Sequence, residues 1–283
     1  MLKLLNIKII IATGLLVLFN ILPVMAQVPR AIEKLNLGLK FVQEGKIKEA
    51  IAAFRESTQI DPKLAAGYYN LGLALRQEGQ LQPAANAFYQ AIKADPKFAL
   101  AYANLGAALI EGNNFTLAKD YLQKAIEIEP KLGVAHYNMG LVYEKQKNWE
   151  KAIASFKKAI QFSPKAPESS YHLGLVYMQQ NKYKEAKQGF LQAINLTPAY
   201  PEAHYNLGII LLNQNDLNGA LASFRKATEY NPNYANAYYG AGIVFLRQGK
   251  YEDAKKVLQY AKELYIKQGN NTWAKKAEEL IKQ

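Results

Sequence analysis

Three histidines, His136, His172 and His204, are the side chains best suited to acid–base or metal chemistry in this 283-residue chain. No cysteine accompanies them, which removes thiolate ligands, thiol nucleophiles and disulfides together. His136 and His204 stand 68 residues apart, twice an interval of 34 that recurs throughout the chain. They therefore occupy one equivalent site two repeats apart, too distant to share a metal ion. No Ser, His and acid stand in a recognisable nucleophile arrangement. A phosphate-cradling loop needs glycines between a strand and a helix, whereas the periodic glycines here read as lying inside helices. The expectation is a non-enzymatic chain without metal or cofactor.

The interval itself carries the information. Gly38, Gly72, Gly106, Gly140, Gly174, Gly208 and Gly242 are 34 residues apart. Twelve positions behind each comes Ala50, Ala84, Ala118, Ala152, Ala186, Ala220 or Ala254, and Pro62, Pro96, Pro130, Pro164, Pro198 and Pro232 keep the same step. A fixed period of this length describes a stacked array in which each unit buries its apolar face on its neighbours. In the unit from Gly133, Tyr137, Gly140, Leu141 and Tyr143 follow a helical pattern, and Ala152, Phe156, Ala159 and Ile160 form the apolar stripe of a second helix. Pro164 then stops it. Pro167 and Pro201 open first helices and Pro83 a second one, where a missing N–H costs nothing.

A glycine inside a helix costs about 1 kcal/mol relative to alanine. Seven such costs make sense only if a Cβ would strike the second helix of the same repeat. Four residues after each periodic alanine comes Phe54, Phe88, Leu122, Phe156, Phe190, Phe224 or Leu258, so small faces large as ridges enter grooves.

On these residues the chain resembles the tetratricopeptide repeat family over about 240 residues. Tyr102, Leu105-Gly106, Leu109, Ala118, Leu122, Ala125 and Pro130 follow the family pattern, which recurs seven times with some substitutions. The resemblance implies an all-α fold: a right-handed superhelical α-solenoid of helix-turn-helix repeats, first helices lining a concave groove and second helices outside. The repeats divide as 31–64, 65–98, 99–132, 133–166, 167–200, 201–234 and 235–268, with a capping helix in 269–283. Departures cluster at the ends, where arrays need caps. Lys34 replaces the aromatic and Ser57 the second alanine of the first repeat, and Ile266 replaces the last proline. That final second helix should run on to Gly269, and a helix over 272–282 should cover the stack with Trp273, Ala277, Leu280 and Ile281.

A second stripe on the first helices is the candidate binding surface. Two residues before the glycines stand Asn36, Asn70, Asn104, Asn138, His172, Asn206 and Gly240. Spaced amides offer a donor and an acceptor each and can hold a peptide backbone. A comparable asparagine ladder lines O-linked N-acetylglucosamine transferase, but this chain has no room for that enzyme's catalytic domain. Beside it run Leu35, Tyr69, Ala103, Tyr137, Tyr171, Tyr205 and Tyr239, and then Leu39, Leu73, Ala107, Leu141, Leu175, Ile209 and Ile243. Helices apolar on two faces are either buried by neighbouring first helices or covered by a bound segment. The candidate groove residues are Tyr69, Asn70, Leu73, Asn104, Tyr137, Asn138, Leu141, Tyr171, Leu175, Tyr205, Asn206, Ile209 and Tyr239. The expected guest is a protein or peptide. The Lys, Asn and Arg set by which this family clamps a terminal carboxylate is replaced here mainly by Leu, Tyr and Ile.

Residues 1–26 differ in kind. Lys3 and Lys8 are their only charges, Ile9–Leu22 is almost wholly apolar, and Val24-Met25-Ala26 suits a signal peptidase. This reads as a secretory signal cleaved after Ala26, with the mature chain periplasmic or extracellular. The competing reading is a retained anchor giving membrane association through 1–26, although the run falls short of the roughly 18 residues of a span. The formal charge of +12 is uneven, with six Lys against two acids in 133–166. An anionic partner or membrane surface is one reading and a solvated outer face the other. Lys147, Lys151, Lys157 and Lys158 lack interleaved aromatics, which argues against nucleic acid.

Overall fold

The repeat unit is built by two local rules. Runs with apolar residues on one helical stripe coil, and each coil stops where the backbone must turn left-handed or where proline removes a donor. In the computed structural model, which describes residues 28–282, fifteen helices result among the described residues. First helices are α1 (28–43), α3 (Ala65–Gln77), α5 (Ala99–Glu111), α7 (Gly133–Lys145), α9 (Pro167–Gln179), α11 (Pro201–Asn213) and α13 (Ala235–Arg247). Second helices are α2 (Ile47–Ile60), α4 (Leu81–Ala94), α6 (Phe115–Ile128), α8 (Trp149–Phe162), α10 (Tyr183–Leu196), α12 (Leu217–Tyr230) and α14 (Tyr251–Lys267). The last, α15, spans Asn271–Ile281. The export segment expected over 1–26 lies outside the described residues. No described helix is long and apolar enough to cross a membrane.

The described residues form two compact halves, one up to Val142 and one from Tyr143, divided within α7. In the N-terminal half α2 packs on α3, α3 on α4, α4 on α5 and α5 on α6. Helix α4 thus touches both its own first helix and the next one. In the C-terminal half the same alternation runs from α8 to α14, and α15 closes on α14.

The interlock is between glycine and ring. A Cβ at Gly72, Gly106, Gly174, Gly208 or Gly242 would lie 2.5–2.7 Å from Phe88, Leu122, Phe190, Phe224 or Leu258 respectively. These large side chains and the alanines four residues before them are all fully buried. The departures in the first repeat are locally compensated. Ser57 donates its buried hydroxyl to the Ala31 carbonyl at 2.7 Å, and Lys34 pairs with Glu56 at 2.7 Å.

The seven periodic glycines from Gly38 to Gly242 all lie inside first helices, and a second periodic register, not singled out in the sequence, lies in the turns. Gly45, Gly79, Asn113, Lys147, Asn181, Asn215 and Gly249 form another 34-residue register, in the turn between the two helices of each repeat. All have φ between 57° and 73°, the left-handed conformation that ends a helix. The following N–H reaches back across the turn, as from Gln80 to the Leu75 carbonyl at 2.9 Å. Only three of these seven positions are glycine, and Lys147 bears the conformation with a long side chain.

Candidate functional site

The Tyr stripe begins with packing. Tyr69 on α3 lies between Phe88 of its own repeat, ring centroids 5.9 Å apart, and Phe98 at the mouth of the next, 4.8 Å apart. Tyr171 on α9 repeats this with Phe190 at 5.7 Å and Tyr200 at 4.9 Å. Tyr205 on α11 does so with Phe224 at 5.9 Å and Tyr234 at 5.2 Å. On α13, Tyr239 meets Tyr265 at 6.3 Å and Trp273 of the last helix at 5.4 Å. One face of each ring is therefore used by the fold, yet Tyr69, Tyr171, Tyr205 and Tyr239 all stay partly exposed. Tyr137 is half-buried as well, whereas Ala103 at the equivalent place is fully buried.

The Asn stripe is committed through its amide nitrogens. Asn70 Nδ2 donates to the Ala66 carbonyl at 2.8 Å, one turn back on its own helix. Asn104 donates to Leu100 O at 3.0 Å and to the Tyr69 hydroxyl at 3.2 Å. Asn206 donates to Glu202 O at 2.9 Å and to the Tyr171 hydroxyl at 3.2 Å. Asn138 is buried and donates to Ala103 O at 3.4 Å. A carbonyl can only accept, so it forces the NH₂ end of each amide inward. The Leu73, Leu141, Leu175 and Ile209 side chains run alongside, partly exposed.

The electrostatics of this stripe are neutral. Burial raises the Tyr69 hydroxyl pKa, with the Asn104 bond opposing it, and burial raises that of Tyr205. Burial, reinforced by Glu202, pushes Tyr171 up to about 12. These hydroxyls remain protonated at neutral pH and serve as polar ends of apolar rings.

The histidines are tied into the fold. His136 Nε2 lies 2.8 Å from Pro130 O and His204 Nε2 2.9 Å from Pro198 O, each bracing the loop before its helix. His172, which replaces asparagine in the stripe, is 2.8 Å from Glu144 Oε2 and stacks on Phe156. Among the described residues no group of three His, Asp or Glu is placed to hold a metal ion.

Sequence reasoning missed the outer members of these stacks. Phe98, Tyr200 and Tyr234 sit two residues past the periodic prolines, a register that also holds Leu64 and Leu132. That spacing was the available signal. Also missed was Tyr265, which with Tyr205, Ile209, Tyr239 and the capping residue Trp273 lines a cavity of about 320 Å³ in the C-terminal half.

Family profiles described as TPR repeat match residues 38–77, 174–215 and 210–249. Others described as tetratricopeptide repeat match 75–141, 133–165 and 236–270. No curated protein matches the chain significantly. Among solved structures, YrrB, a TPR protein with an unusual peptide-binding site, is 28% identical with a TM-score of 0.56, over 69% of this chain and 99% of that one. A tetratricopeptide repeat protein from Parabacteroides merdae is 21% identical with a TM-score of 0.62, over 90% of this chain and 98% of that one. The APC/C hetero-tetramer Cut9-Hcn1 gives a TM-score of 0.69 at 21% identity, over 76% of this chain but only 43% of that one. These last two speak to the fold alone.

Proposed function

The chain belongs to the tetratricopeptide repeat family, and on that premise we propose that its first-helix face binds a segment of a partner protein. The family's fold is typically a non-enzymatic scaffold for protein–protein interaction, and we assign this chain no catalytic step. One observation carries the reading: the Tyr and Leu/Ile stripes of each half stay partly exposed after the second helices have packed. Half-exposed tyrosines offer apolar area with a hydroxyl at the end, the surface most used in protein recognition. The peptide-binding site of YrrB, at 28% identity, supports a peptide-like guest.

We place the mature chain outside the cytoplasm, in assembly of an envelope or membrane complex, on the strength of residues 1–26. The second reading is a factor tethered by that same segment. N-terminal sequencing of the protein from cells separates the two, with Gln27 as first residue expected. A third reading is electrostatic adhesion through the outer lysines; it requires binding that is lost as salt rises and is indifferent to the tyrosines.

The direct test is a photo-crosslinking residue placed at Leu175, at Ile209 or at the exposed Lys158 of the full chain in cells. Discrete protein adducts from the first two and none from the third are expected. Identical adducts from Lys158, or none from Leu175 and Ile209, would overturn the reading.

A further inference from the structure

The cavity of about 320 Å³ in the C-terminal half falls where the asparagine stripe is broken. Position 240 is glycine, and a Cβ there would meet the Phe224 ring at 2.7 Å. The Gly240 backbone is thus packed directly on the Phe224 ring, and it forms part of the cavity wall. Around it stand the rings of Tyr205, Tyr239, Tyr265 and Trp273, with Ile209 and Ile243. The volume is at the lower end of ligand pockets, which start at roughly 300 Å³.

Polar groups in the lining restrict what can enter. Asn236 Oδ1 accepts the Tyr265 hydroxyl at 2.6 Å. Asn270 Oδ1 accepts the Trp273 N–H at 3.4 Å as the cap of α15. Each amide oxygen already accepts one bond from the protein, and each NH₂ group adds two donors. Charge near the cavity is balanced. Lys276 Nζ lies 4.0 Å from the Trp273 ring centre, and Glu279 is near enough to Tyr239 to raise its hydroxyl pKa alongside burial. Lys276 and Glu279 offset each other, so no net charge beside the cavity selects an ammonium or a carboxylate over a neutral group. Rings set at steep angles, such as Tyr239 and Trp273 at 82°, present both edges and faces to a third ring.

We propose that this cavity is an anchor pocket for one uncharged aromatic side chain of an extended partner segment, whose backbone carbonyls accept from Asn236 and Asn270. The proposal rests on the reading of the first-helix face as the partner surface and names the chemistry of one place on it.

Blocked tripeptides, acetylated and amidated, with phenylalanine, alanine, lysine or aspartate at the centre are suitable probes. Trp149 and Trp273 are the two tryptophans of the chain, and their indole N–H signals can be followed separately by NMR. The phenylalanine probe should shift Trp273 and not Trp149, and bind about tenfold tighter than the other three. Asn236→Asp keeps an acceptor for Tyr265 but loses the donor. It should weaken the phenylalanine probe about tenfold with melting temperature unchanged. A silent Trp273, equal response to the charged probes, or full binding by Asn236→Asp overturns the proposal. Self-association that the phenylalanine probe reverses would identify a second copy as the guest and also overturn it. Probe binding without crosslinks at Leu175 and Ile209 would leave the pocket standing and the scaffold reading refuted; crosslinks without probe binding give the converse.

Discussion

The side-chain amide of Asn206 donates to the hydroxyl of Tyr171, 35 residues earlier, at 3.2 Å, and Asn104 does the same for Tyr69. Two stripes that run separately along the sequence are thus joined at these two rungs, one in each half. A residue proposed to meet the partner also holds adjacent repeats in register, which shapes how it can be tested.

Tyr171→Ala should destabilise the protein by about 2–4 kcal/mol, because it removes the ring between Phe190 and Tyr200 as well as the acceptor of Asn206. Tyr171→Phe keeps the ring and should cost only about 0.5–1.5 kcal/mol. Urea denaturation of both variants checks the difference. Equal losses would show that the hydroxyl, not the ring, carries the contribution.

Gly174→Ala should destabilise by about 1–3 kcal/mol, although alanine is the better helix former by about 1 kcal/mol. The added Cβ would fall 2.7 Å from the Phe190 ring. Phe190→Ala in the same chain should overlap with this loss and not add to it, since it removes the ring atoms that the new Cβ would strike. Thermal melts of the two single variants and the double variant test this, and strict additivity would refute direct contact.

Lys147→Gly should stabilise the protein by about 0.5–1 kcal/mol. Lys147 has φ of 57°, where a side chain is strained and glycine is not. Lys147→Ala, which keeps the Cβ, should bring no such gain. A glycine variant melting at or below the parent temperature would rule out strain at this turn.

Alkaline pH should unfold the chain from about pH 10 upward. Burial lifts Tyr171 from an ordinary value of 10.0 to about 12 and moves Tyr234 and Tyr265 in the same direction. The folded state therefore retains protons that the unfolded state releases. Their stabilisation is complete below pH 10 and is lost as the pH rises towards about 12. Phenolate absorbance and far-UV circular dichroism, recorded together, should show one group of tyrosines ionising only as helix is lost. All nineteen titrating near pH 10 with helix intact would contradict it.

Most of the helical architecture was legible because its causes are local. Pro167 and Pro201 do stand at the first residue of α9 and α11, and α14 runs to Lys267 where the seventh proline is missing. The interlock of Gly72 with Phe88 was legible too, since both residues recur at one interval. The turn register was not, because Asn113, Lys147, Asn181 and Asn215 hide it behind side chains. The last helix was placed correctly, yet Ala274 and Ala277 are buried while Trp273 is 37% exposed. Its ring serves the stack on Tyr239 and Tyr265 and not the centre of the cap.

By itself the sequence determined that this is an array of helix pairs, where prolines open or close several of them, and which faces are apolar. Periodicity, proline and glycine act within a turn or two of chain, so their consequences can be read without knowing what lies opposite. Only the tertiary structure decided how much of each apolar face remains as surface. That depends on rings brought from outside the repeat, such as Phe98 against Tyr69 and Trp273 against Tyr239, and on the cavity left among Tyr205, Tyr239, Tyr265 and Trp273. Burial is a property of pairs distant along the chain, and packing, not propensity, sets it.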